Sequence, residues 1–216
     1  MNAFSPYYGE FLMLLLPHLA AMMAPGADFA LVAGQSVRFG KRTGIFCALG
    51  IGSGISLHVA YTLAGVGAML HAAPQLFALV RYVGAAYIAY LAYGLIMSFW
   101  RSRTQHAADI VTTDTGEAMS ARQSFVRGFL TNALNPKVTV FFVAVFTAIV
   151  SSKTPLWVQG IYGAWMSITT MIWFCMVALF LSAAPIRRRF LQIRPLFELG
   201  CGLVLLFFAV RMVWAG

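Results

Sequence analysis

The sequence predicts an all-α, polytopic membrane protein with six transmembrane helices, and three observations carry that prediction. Of 216 residues, 61% are hydrophobic and 10% are charged, whereas a soluble domain has roughly 45–50% and 25%. The mean hydropathy is +0.81, which excludes a soluble enzyme core. Six windows reach the roughly 20 apolar residues that a bilayer core of about 30 Å requires, and one polar stretch splits them three and three.

The first window, 11–36, follows MNAFSPYYGE, which lacks a basic n-region and contains Glu10; it reads as a retained span rather than a signal peptide. Pro25-Gly26 interrupts it about half-way. The second, 43–70, carries Gly50 and Gly54 as a GxxxG pair and His58 near its middle; the third, 75–99, carries Gly84-Ala85-Ala86. Small residues at this spacing let helices approach closely. Intrachain packing is the plainer use of Gly50, Gly54 and Gly84, and a homodimer face or sliding surface is the alternative.

Residues 101–123 are polar and lack a periodic apolar face, so they read as a linker between a first repeat, 1–100, and a second, 124–216. The fourth window, 124–151, is interrupted by Asn135-Pro136, and the fifth and sixth, 156–183 and 196–214, complete the set. Three spans per half place the halves in opposite orientations, the arithmetic of an inverted repeat. Proline removes a backbone donor and clashes with the preceding turn, so the first and fourth helices should break at matching depths.

Charge placement gives orientation. The links after the first, third and fifth spans hold Arg38, Lys41, Arg42, Arg101, Arg103, Arg122, Arg127, Arg187, Arg188, Arg189 and Arg194, eleven of the 15 basic residues. By the positive-inside rule these links, including 101–123, are cytoplasmic and both termini lie outside. The net charge of +9 is thus spread over three loops, which argues against nucleic acid and against one polybasic lipid patch. Arg81 and Arg211, near outer span ends, should snorkel, and Glu198 should pair with Arg194. The Phe residues, with Trp100, Trp157 and Trp214 near span ends, suit contact with membrane lipid.

Two charges remain inside the spans, at the breaks. A mid-membrane Asp or Lys costs about 2.5–3.5 kcal/mol on insertion scales, so each needs a function. Asp28 falls in the first turn after Pro25-Gly26, where it could cap the restarted helix or serve substrate and protons. Asn135-Pro136 reads as N-cap and N1, which puts Lys137 at N2, where a cation opposes the helix dipole. Lys137 either pairs with Asp28 or joins free N–H groups in holding an anion, and two facing half-helix N-termini favour the anion. An acid for an ammonium and a Lys with helix N-termini for a carboxylate describe a receptor for a zwitterion, an amino acid. Asp28, Lys137, Asn135 and Gly26 are the expected substrate-binding residues, Pro25 and Pro136 the expected breaks. Asp28 and His58 are the proton-coupling candidates, with His18 behind them. Cys47, Cys175 and Cys201 stand singly without metal-ligand spacing, so no metal, disulfide framework or cofactor is expected, and a thiol-redox membrane protein is a poor rival. A carrier of other small cations or metabolites is the closer one, and a structural subunit would not need charges at paired breaks.

PGADFALVAGQSVRFGKRTG at 25–44, ALGIGSG at 48–54, RYVGAAYIAYLAYGL at 81–95 and GFLTNALNPK at 128–137 resemble the LysE/RhtB family of bacterial amino-acid exporters. The resemblance implies a six-span inner-membrane protein, not an enzyme, that expels amino acids or close derivatives in exchange for protons. By position, Pro25, Gly26, Asp28, Gly44, Gly50, Gly84, Asn135, Pro136 and Lys137 match the family's motif residues. Ala27 stands where the family commonly has a second proline, which implies a gentler first break.

Overall fold

The computed structural model describes residues 7–72, 74–102, 119–151 and 153–214; most of the polar linker, 103–118, lies outside them. Among the described residues there are helices and no strands: α1 (Tyr8–Met23), α2 (Ala27–Phe39), α3 (Lys41–Ala72), α4 (Pro74–Ser102), α5 (Ala121–Ala133), α6 (Pro136–Ile149), α7 (Leu156–Leu181) and α8 (Ala184–Trp214). Four of them, α3, α4, α7 and α8, are long and apolar enough to cross a membrane, and there are up to six spans if each bent pair, α1 with α2 and α5 with α6, counts as one.

Both breaks fall at the prolines. Ala24, before Pro25, adopts φ −60° and ψ 129°, and Asn135, before Pro136, adopts φ −79° and ψ 108°. The ring of a following proline disfavours helical ψ and pushes its predecessor to extended values. The bend is 50° between α1 and α2 and 55° between α5 and α6, so Ala27 leaves the first break nearly as sharp as the second. Gly40 separates α2 from α3 at φ +85°, a left-handed conformation that glycine adopts without a Cβ penalty.

In lipid, helices gain little by hiding apolar surface from one another; close backbone approach and buried hydrogen bonds hold them instead. Here α3 packs against α5 and α7, and α4 against α8 and α6. A Cβ on Gly50 would lie 2.0 Å from the Phe125 carbonyl, and one on Gly128 would lie 2.1 Å from the Cys47 carbonyl. The α3–α5 contact is therefore backbone against backbone, and α5 of the same chain occupies this glycine face. Gly84 meets Ala144 of α6 in the same way, at 2.5 Å. Between α3 and α7, Ser167 donates to the Gly52 carbonyl at 2.5 Å and lies 2.8 Å from the Ser56 hydroxyl. The remaining core is apolar, built around Leu14, Ile88, Phe142, Phe146, Tyr162, Met166 and Leu205, with a second cluster around Phe29, Val32, Ile51 and Phe174.

Two basic segments depart from expectation. The run expected as the fifth link, with Arg187, Arg188, Arg189 and Arg194, is the first three turns of α8. Phe190 stacks on Phe29 with ring centroids 5.3 Å apart, and Phe197 on Trp173 at 6.2 Å; these aromatic contacts anchor the basic turns as helix. Arg81 does not simply reach for solvent: its Nε and Nη2 donate to the Met212 carbonyl, in the last turn described for α8, at 3.2 and 2.8 Å. Glu198 pairs with Arg194 at 2.8 Å, as expected.

Candidate functional site

The half-helix α6 starts as its sequence dictates. Asn135 is its N-cap, the Asn135 side chain accepting from the Lys137 N–H at 3.0 Å, and Pro136 fills the first turn, where no donor is needed. In α2 the N-cap is Gly26, which has no side chain to offer, and Asp28 lies in the first turn. Both N-termini line one cavity of about 60 Å³: Gly26, Ala27 and Asp28 from α2 face Asn135 and Lys137 from α6. The positive ends of two helix dipoles thus converge there; in α6 the Lys137 and Val138 N–H groups are already held by Asn135, so the orphan first-turn N–H groups are those of α2.

The two charges attract across this space. They make no ion pair, since no Lys137–Asp28 contact falls within 4.0 Å. Lys137 Nζ instead lies 3.5 Å from where a Cβ on Gly26 would be, an ordinary contact distance that places the ammonium beside the start of α2. Asp28 does not cap α2. Its Oδ2 accepts from Asn132 Nδ2 at 2.8 Å, and its Oδ1 is buried without a partner.

Asn132 is the residue the sequence reading passed over. It is fully buried in the last turn of α5, beside the cavity. Its side chain reaches Asp28 while its carbonyl accepts from His58 Nε2 at 2.9 Å. The signal was present: Asn132 lies within GFLTNALNPK, and Gly54, noted only for its spacing, makes room for it. A Cβ on Gly54 would stand 2.6 Å from Asn132 Oδ1. A wholly buried amide among apolar helices needs such a reason.

His58 is enclosed in α3. With Nε2 donating to the Asn132 carbonyl, a neutral ring must accept at Nδ1, where the Tyr61 hydroxyl is bound and the Thr139 hydroxyl lies 3.5 Å away. The Asn132 carbonyl also accepts from the Asn135 N–H at 2.9 Å, so His58 is a second donor to the end of α5, and it connects to Asp28 through Asn132. His18 also lines the cavity, its Nε2 3.0 Å from the Thr169 hydroxyl. Of the expected residues, the cavity gathers Gly26, Asp28, Asn135 and Lys137; His58 stands one residue behind it, and Gly50 and Gly84 lie in helix contacts outside it. Among the described residues no three His, Cys, Asp or Glu side chains cluster as metal ligands.

Broken helices packed around a polar cavity in an otherwise apolar helical protein are the architecture of a translocator. The family model described as LysE type translocator matches residues 19–216, and the chain belongs to that family. It is 25% identical over 206 residues to the threonine efflux protein of Escherichia coli K12, covering 94% of this chain and 97% of that one. Against the uncharacterized membrane protein YahN of the same strain it is 25% identical over 193 residues, 89% and 83% of the two chains. It is 22% identical over 203 residues to the threonine efflux protein of Salmonella typhi, 94% and 97% of the two chains. No solved structure matches.

Proposed function

We propose that this protein is a secondary active exporter of amino acids or close derivatives across the bacterial inner membrane, working by proton-coupled alternating access. The observation that carries the reading is the convergence of Asp28, Lys137 and the N-termini of α2 and α6 on one cavity. A zwitterion matches that arrangement: its ammonium meets the unpartnered Asp28 Oδ1, and its carboxylate meets Lys137 and the free N–H groups. The threonine efflux relatives support amino-acid export.

Six spans arranged as a 3+3 inverted repeat, 1–100 and 124–216, follow from the same reading. The two bends occur at matching points, 50° and 55°. Helices equivalent under such a repeat, α3 with α7 and α4 with α8, pack against each other. The basic links are then cytoplasmic and both termini outside. Cargo enters from the cytoplasm, binds between Asp28 and Lys137, and leaves when the halves rock; a proton returning on Asp28, with His58 behind it, drives the cycle. One charge crossing 100 mV supplies about 2.3 kcal/mol, enough for a roughly fiftyfold gradient.

The test is release from proteoliposomes loaded with the proteinogenic amino acids and homoserine under an imposed pH gradient, the medium read by mass spectrometry. Selective, gradient-dependent release is expected, and Asp28→Asn should lose the dependence on the gradient. Gradient-driven export at full rate by the Asn variant would remove the proton role from Asp28. No release by inserted, folded protein would move the cargo to another class of small metabolite.

A further inference from the structure

We propose that the cavity admits amino acids with a compact, uncharged side chain and rejects those that bring a second charge. The inference rests on the zwitterion reading above and concerns what lies beyond the two main-chain groups. Among the described residues, Asp28 and Lys137 are the only charged ones on the cavity wall, and both are engaged once an α-ammonium and an α-carboxylate are in place. The other described acids are committed elsewhere. Glu10 accepts from the Ser151 N–H at 3.0 Å and the Thr154 hydroxyl at 2.9 Å, and Glu198 holds Arg194.

What remains for the cargo side chain is largely hydrocarbon, from Ile55, Phe141, Phe142 and Phe174. A side-chain ammonium or guanidinium placed there would be desolvated with no counter-charge, and a second carboxylate would meet Asp28. The wall does offer Thr170. Its hydroxyl proton is given to the Met166 carbonyl at 2.8 Å, so it presents lone pairs to the cavity and can accept from a cargo hydroxyl. A volume of about 60 Å³ lies far below the roughly 300–1,000 Å³ of drug-sized pockets, which favours small aliphatic or hydroxylated side chains over aromatic ones.

Lysine and norleucine isolate the charge, because they share a four-carbon side chain and differ by an ammonium in place of a hydrogen on its last carbon, while valine and tryptophan isolate size. Proteoliposomes holding the full-length protein are loaded with these four, threonine and glutamate at equal concentration, and initial release is compared under one pH gradient. Threonine and valine should leave fastest, norleucine at least about 100-fold faster than lysine, and glutamate and tryptophan at the rate of empty vesicles. Lysine within twofold of norleucine would overturn the charge selection and leave the exporter reading standing. Release of tryptophan at the valine rate would overturn the size selection. Release of none of the six by inserted, folded protein would remove the amino-acid reading of the cargo, and this inference with it.

Discussion

Lys137 is the residue whose position costs most and is least explained by local structure. At the second helical position of α6 its charge opposes the dipole, and no carboxylate within 4.0 Å offsets it. A bound carboxylate does. Lys137→Ala should therefore weaken amino-acid binding by roughly tenfold to a hundredfold while leaving the affinity for the decarboxylated amine of the same cargo nearly unchanged; calorimetric titration of both ligands in detergent reads the difference. Equal loss for both would mean that Lys137 shapes the cavity without touching the carboxylate. The charged residues were legible in the sequence because a lone Asp and a lone Lys beside prolines are conspicuous in apolar surroundings. Asn132 was less conspicuous, because a neutral amide is a weaker signal than a charge and its partners, Asp28 and His58, are 104 and 74 residues away.

Among the elements, the joints were more legible than the ends. Pro25 and Pro136 break their helices, yet Pro17 and Pro195 sit inside α1 and α8 without ending them. Proline alone does not decide; Pro25 is followed by the extended Gly26 and Pro136 is preceded by a capping Asn, whereas the other two have helix formers on both sides. The start of α8 was misplaced for a tertiary reason, the stacking of Phe190 on Phe29, which no local pattern announces. The glycine contact between α3 and α5 makes its own prediction. Gly50→Ala, with a Cβ 2.0 Å from a backbone carbonyl, should lower stability by about 1–3 kcal/mol. Gly34→Ala, in a helix with nothing within 4 Å, should be neutral or raise it by up to about 1 kcal/mol. Thermal unfolding of the two variants side by side checks this, and an equal rise in both would show that helix propensity rather than contact is at work.

For the whole molecule, the helix contacts on the two sides of the cavity differ in kind. On the side of the proposed cytoplasmic links, α3 and α5 meet backbone to backbone through Gly50 and Gly128. At the other end, α1 meets α7 through side chains, Phe11 against Trp165 with centroids 5.0 Å apart and Glu10 held by the loop before α7. If the halves exchange roles during transport, the glycine seam must part. Gly50→Ala protein that still folds and inserts should therefore export more slowly than the unaltered chain in the proteoliposome assay, because the added Cβ wedges the seam, and undiminished export would mean that cargo passes without this seam closing tightly.

The joint between α5 and α6 also bears on what can be inserted or deleted there. Non-helical segments ordinarily tolerate changes of length. Here only Ala133 and Leu134 separate Asn132, which holds Asp28, from Asn135, which caps α6. Adding or removing one residue would turn everything beyond it by about 100° about the helix axis, since a turn takes 3.6 residues, and would swing Lys137 away from Gly26. This short irregular stretch is thus a fixed spacer, as intolerant of an altered reading length as a core helix is of a misplaced charge.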